Sequence, residues 1–307
     1  MRTLSDGTSQ RAKEGNAAPA AARLDPRRNV FRSDLAAESL YGKVSVPRYV
    51  RGSTAQVSRP ATPVFREPDA SSSIDTEALF GEIVTVYDER AGWAWVQLAC
   101  DGYVGYVPAS TLKRPVDEPT HRVRALGTFI YPAPNIKAPP LMHLSMNARL
   151  CVSESDEQFC ALKHGGFVVA RHVVDQGRHE RDFVEIAERF VGTPYLWGGR
   201  SRIGLDCSGL VQVALAAAGF RVPRDTDMQQ AEIGSYVDIP EGLEGLQRGD
   251  LVFWQGHVGI LVDSVMLVHA NAHHMMVTIE TLPEAVGRIA KSNGNITAIK
   301  RLRGLCA

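Results

Sequence analysis

The stretch GLDCSGLVQVALAAAG, residues 204–219, decides how the C-terminal half of the chain is read. Cys207 opens an apolar run that Gly219 stops, and a glycine-containing turn, GGRSRIGLD at 198–206, leads into it. A free cysteine is ordinarily a small buried hydrophobe, and Cys100, Cys151, Cys160 and Cys306 are read that way. Cys207 is different. At the first turn of a helix a sulfur meets free N–H groups and the positive end of the helix dipole, which favour a thiolate. The same N–H groups can receive an oxyanion. Position and residue type together point to a nucleophile.

Upstream, HERDFVEIAERFVG sets Phe183, Ile186, Ala187 and Phe190 at i, i+3, i+4 and i+7 before Gly192, which predicts a helix. Downstream come short β-rich runs: DLVFW, HVGILVD, MLVHA, MMVTIE and TAIKRL. Helices first and an antiparallel sheet after read as α+β. A thiol nucleophile needs a base, and spacing sorts the nine histidines. His257 opens HVGILVD, and His269 lies 12 residues later in MLVHA. A hairpin with Val262, Asp263 and Ser264 as its loop sets the two directly opposite on one face, within hydrogen-bond reach. That supplies a base and the group that orients it. A two-residue loop would put them on opposite faces. His273 and His274 invite a metal, but no CxxC or HExxH accompanies them, and a solvated loop is the reading taken. No metal and no cofactor are expected.

From Val44 to Val174 the text is different: EIVTVYDE, AWVQLAC, YVGYVP and CALKHGGFVVARHVV are short, β-branched and aromatic. Gly105-Tyr106-Val107 and Gly166-Phe167-Val168 recur 61 residues apart, which predicts two successive small β-barrels. PAPNIKAPP fits a long loop in the second. The expected organisation is a flexible tail with one short helix over 1–43, capped by Ser33 or Asp34. β modules at 44–115 and 116–175 follow, then an α+β unit at 176–307.

Lys plus Arg and Asp plus Glu number 34 each in 307 residues, so there is no electrostatic footprint for a nucleic acid. No apolar run reaches the roughly 18 residues of a membrane helix. The first 26 residues lack the apolar core of a secretory signal and carry Asp6, Glu14 and Asp25. A cytoplasmic protein is the expectation, and five unpaired-looking cysteines fit its reducing conditions.

Several pieces, in order, carry a resemblance: TPYLWGG (193–199), DCSGL (206–210), PRDT (223–226), RGDLVFW (248–254), GHVGI (256–260) and VHA (268–270). With these the chain resembles the NlpC-type cysteine peptidases of bacterial cell walls, papain-like in fold, and the β modules resemble tandem bacterial SH3-like domains. The resemblance implies Cys207 as nucleophile, His257 as general base and His269 as its orienting partner. It places the Tyr195 hydroxyl near the oxyanion. It implies that Asp206 and Ser208 hold the free N-terminal amine of a short murein peptide, with Thr226 lining the same pocket; Asp206 could also cap its helix. In relatives of this kind an acidic and an aromatic residue of the first module close the pocket, and Glu89, Asp101 and Tyr103 are candidates here. The implied activity is a γ-D-glutamyl-L-diamino acid endopeptidase acting on free wall peptides, with no nucleic acid or membrane partner. The rivals are an exported hydrolase of intact wall, a non-catalytic binding protein, and an amidase or acyltransferase.

Overall fold

Short strands dominate up to residue 175 and helices appear only afterwards, as the change in sequence character predicts. The computed structural model describes residues 24–302 apart from Glu241. Of the tail expected over 1–43, residues 1–23 lie outside the described ones. The short helix expected near Ser33 and Asp34 does not form. Leu35–Ala37 is instead a strand, β1, paired in parallel with β2 (Arg48–Val50). All three β1 residues are buried, which a surface helix could not achieve. Val30, Leu35 and Ala37 pack on Trp95 and Val104, so this segment is part of the first β unit's wall.

In the first unit, β3 (Ser53–Val57), β4 (Ala61–Phe65), β5 (Ile74–Leu79), β6 (Ile83–Arg90), β7 (Trp93–Leu98), β8 (Val104–Pro108) and β9 (Leu112–Lys113) form one antiparallel sheet. Its order is β5-β4-β8-β7-β6-β3-β9. Alternate residues such as Val84, Val86, Val96 and Leu98 point to one core. The second unit comprises β10 (His121–Val123), β11 (Gly127–Ile130), β12 (Met142–Ser145), β13 (Arg149–Leu150), β14 (Val152–Ser155), β15 (Phe159–Leu162), β16 (Phe167–Val169) and β17 (Val173–Asp175). These strands are two to four residues long and divide into three small sheets around Val123, Ile130, Leu144 and Val168. Two closed barrels were expected from the 61-residue recurrence, and among the described residues neither unit closes. The recurrence itself marks something real. Each unit ends on a strand, a 3-10 turn and a strand, with the turns at Ala109–Thr111 and Ala170–His172.

The third unit opens with α1 (Phe183–Arg189), whose N-cap Asp182 accepts from the Val184 and Glu185 N–H groups. Then come the small hairpin β18 (Arg200–Ser201) and β19 (Gly204–Leu205), α2 (Cys207–Ala217) and α3 (Thr226–Glu232). The remaining elements are β20 (Ser235–Val237), β21 (Leu251–Trp254), β22 (His257–Leu261), β23 (Met266–Asn271), β24 (Met276–Thr281), α4 (Leu282–Asn293) and β25 (Ala298–Arg301). Six strands make one antiparallel sheet ordered β20-β25-β21-β22-β23-β24. One face, through Phe253, Val258, Ile260 and Val268, packs on α1 and α2. The other, through Val252, Leu261 and Leu267, packs on α4. Wedged between sheet and β units, α2 is buried almost all round.

The units interlock. Met228 of α3 inserts into the first unit's core, and Gln212 of α2 donates to Asp101. The Arg200 guanidinium donates to Glu82 at 2.8 Å, with both side chains buried. From the second unit, Arg122 donates to the Arg178 and Ala217 carbonyls, and Asn147 to that of Val213.

Candidate active site

Cys207 is the first residue of α2 and only 7 % exposed. The helix starts here because Asp206 caps it, accepting from the Gly209 N–H at 2.7 Å. Thr226 Oγ1 and the Gly256 carbonyl oxygen each lie 4.0 Å from Sγ. The sulfur thus lies against the turn between β21 and β22, one residue before His257. Among the described residues no hydrogen bond joins it to His257. Such contacts are often loose before substrate arrives.

Burial, and then the Asp206 charge, push the Cys207 thiol up to about 11, although N–H groups of Val258 and Ser208 pull the other way. The helix start alone predicts a thiolate. Here desolvation wins, and the resting sulfur is protonated. Burial, followed by the charges of His269 and Arg288, lowers His257 to about 3. The resting pair is thiol and neutral imidazole.

His257 Nε2 and His269 Nδ1 are 2.8 Å apart. Spacing predicts them directly opposite across the hairpin, but the strands pair two residues out of that register. Ile260 faces Val268, Leu261 faces Leu267, and the loop is Asp263-Ser264-Val265, tied by Asp263 accepting from the Val265 and Met266 N–H groups. A shift of two keeps every side chain on its face, so the histidines meet diagonally. His269 is 0 % exposed, and its Nε2 lies 2.6 Å from Glu280 Oε1. Arg288 of α4 donates to that same oxygen.

Tyr195, Asp206, Cys207, Ser208 and Thr226 line one cavity of about 1000 Å³. His257 and His269 stand behind its wall, which Trp254, Gln255 and Gly256 complete. Tyr195 is raised well above the usual phenol range by burial, then by the charges of Cys207 and Asp206, so it stays a hydrogen-bond donor.

Asp206 lines the cavity as the resemblance implies, and it is also held in a dense network. Arg224 grips it in a fork at 2.6 and 3.0 Å, and the Gly198 and Gly209 N–H groups donate to its two oxygens. Ser208 shares this network, accepting from Arg224 at 2.8 Å. No carboxylate oxygen is left over for a ligand's ammonium. Beyond Cys207 the cavity is also lined by the carboxylates of Glu67, Asp75, Asp225 and Asp227, of which Asp225 receives the Tyr103 hydroxyl at 3.1 Å and Arg27 at 2.8 Å. Burial raises its pKa, against the pull of Arg224 and Arg27. Of the three first-module candidates, Tyr103 lines the cavity, Asp101 faces Gln212, and Glu89 pairs with Arg114.

A family model for NlpC/P60 proteins matches residues 192–288, and one for the bacterial dipeptidyl-peptidase SH3 domain matches 64–112. The chain carries an NlpC/P60 domain and a bacterial SH3 domain. Dipeptidyl-peptidase 6 of Lysinibacillus sphaericus is 25 % identical over 246 residues, 72 % of this chain and 89 % of that protein. The γ-D-glutamyl-L-lysine dipeptidyl-peptidase of Bacillus subtilis is 27 % identical over 236 residues, 69 % of this chain and 77 % of its own. A crystal structure of an NlpC/P60 family protein from Bacillus cereus superposes with a TM-score of 0.68 at 24 % identity, covering 81 % of this chain and 99 % of that one. The fold is shared over that length.

Within the NlpC/P60 domain, three residues in contact with the site were not singled out by sequence: Arg224, Asp225 and Glu280. The first two sit inside PRDT, beside the Thr226 that was chosen. Outside it, Arg27 was placed in a tail, yet its carbonyl accepts from the Val104 N–H and its guanidinium reaches Asp225 and Asp227. His273 and His274 meet edge to face, and among the described residues no group of three or more His, Cys, Asp or Glu is arranged to hold a metal.

Proposed function

We propose that this chain is a cysteine peptidase that cleaves the γ-D-glutamyl-L-diamino acid bond of short, free murein peptides, releasing L-Ala-γ-D-Glu. The observation that carries the reading is the cavity that Cys207 shares with Tyr103, Asp225 and Arg27, in which Tyr103 and Arg27 both donate to the Asp225 carboxylate. A carboxylate in the nucleophile's own cavity fits a free N-terminus one dipeptide away from the scissile bond, since Asp225 offers an ammonium a charge-assisted partner. The chain's similarity to the γ-D-glutamyl-L-lysine dipeptidyl-peptidase of Bacillus subtilis supports it. Wall peptide recycling in the cytoplasm is part of the proposal. So is a second SH3-like module at 116–175, which the repeated strand, 3-10 turn and strand supports.

In the reaction the Cys207 thiol gives its proton to His257 Nδ1, the nitrogen not engaged by His269, as sulfur attacks the γ-carbonyl carbon. The oxyanion is received by N–H groups of the α2 start, with the Tyr195 hydroxyl close by. Collapse expels the diamino acid's amine, which takes the proton back from His257 and leaves a thioester. Water, deprotonated by His257, then releases the dipeptide and restores the thiol.

The test is product analysis by mass spectrometry on L-Ala-γ-D-Glu-diamino acid, its N-acetyl form and intact wall. Cleavage of the free peptide at the γ bond is expected, with the acetylated form slower by about a hundredfold, the scale of an unpaired buried charge. Asp225→Asn should narrow that gap by slowing the free peptide. Equal rates on both peptides, or ready digestion of wall, would overturn the assignment to free peptides.

A further inference from the structure

His257, His269 and Glu280 sit on three successive antiparallel strands, β22, β23 and β24, and side chains two residues apart in register share a face. Glu280 faces Leu267 in the ladder and His269 faces Thr278, so the carboxylate meets the imidazole diagonally, as the two histidines meet each other. The result is a line of hydrogen-bonded atoms: His257 Nε2, His269 Nδ1, His269 Nε2, Glu280 Oε1. Arg288 holds the far end.

We infer that Glu280 is a positioning residue that sets the tautomer of both histidines. An ionised carboxylate only accepts, so the 2.6 Å contact requires a proton on His269 Nε2. Neutral His269 then has a bare Nδ1, which must accept. His257 therefore carries its proton on Nε2 and donates it to His269. The one lone pair left on His257 is at Nδ1, on the nitrogen that must take the thiol proton. Were Glu280 replaced by a donor, each proton along the line would move one place and His257 would present an N–H instead of a base. The groups that face this line are Arg288, which together with the His269 bond keeps Glu280 ionised against its burial, and His274 near His269. The sheet thus transmits a choice of tautomer from the third strand to the first.

This inference concerns the chemistry of the proposed peptidase but is tested without substrate. Ring ¹⁵N spectra of the full chain, with His257→Asn and His269→Asn used for assignment, should show His257 and His269 both protonated on Nε2 and bare on Nδ1. A proton on His269 Nδ1 would overturn it. Glu280→Met, which removes the acceptor, should scramble those tautomers and lower kcat about 10- to 100-fold with KM within a factor of two. Glu280→Gln should recover most of that loss, because its amide oxygen still accepts and Arg288 orients it. Unchanged tautomers and unchanged kcat in Glu280→Met would also overturn it. Should Glu280→Met fail to fold, the wild-type spectra decide alone. A wild-type chain with the expected tautomers but no peptidase activity would count against the function and not against Glu280.

Discussion

At Cys207 two effects of comparable reach oppose one another. The helix start and the Val258 and Ser208 N–H groups favour sulfur's negative charge, while burial and Asp206 disfavour it and win. Sequence displays the first effect and hides the second, because burial is made by residues far along the chain. The consequence is measurable. Alkylation of Cys207 by iodoacetamide should be slow at pH 7 and should climb with pH toward an apparent value near 11. A plateau already reached by pH 7 would show a thiolate and refute the protonated resting state. Asp206 teaches the same lesson. Its carboxylate beside the nucleophile was legible, but Arg224, 18 residues on, could not be seen to fill it.

At the scale of elements, the β22–β23 hairpin was legible in its essential parity and not in its register. Parity follows from an even separation of 12 residues joined by a loop of odd length, whereas register depends on which loop residue Asp263 caps. The third strand's Glu280 had no local signal, since its partners are 8 and 11 residues away on different elements. α4 did have one: Thr281 as cap, Pro283 in the first turn, and Leu282, Ala285 and Ile289 on one face. The hairpin also predicts acid sensitivity. Burial lowers both His257 and His269, so each is neutral when folded and gains a proton more readily when unfolded. Their contribution is full above the ordinary histidine value of about 6.5 and is lost as pH falls below it, for His257 toward its folded value near 3. Unfolding free energy should therefore drop between pH 7 and pH 5, by at most about 1.4 kcal/mol per pH unit for each histidine. Urea titrations on wild type and His257→Phe check this, and an identical slope in both would remove His257 from the account.

Across the whole molecule, the order of the units and their change of character near residue 176 were readable from composition and period. Their interlocking was not, because it rests on pairs more than a hundred residues apart, such as Arg200 with Glu82 and Arg27 with Asp225. Breaking one buried pair should be costly. Arg200→Ala leaves Glu82 buried without its cation and should destabilise the chain by about 3–5 kcal/mol, read from thermal and urea unfolding. A loss within about 1 kcal/mol would show that the seam is held by other contacts. The helix bearing the nucleophile has neighbours on every side: the sheet beneath it, Asp101 against Gln212, and Asn147 against the Val213 carbonyl. It follows that this peptidase fold is no portable cassette. Cut out at residue 176, it would bare a flank of α2 tailored to its neighbours. A self-sufficient version would need that flank rewritten with polar residues, much as a terraced house needs a new outer wall when the one beside it comes down.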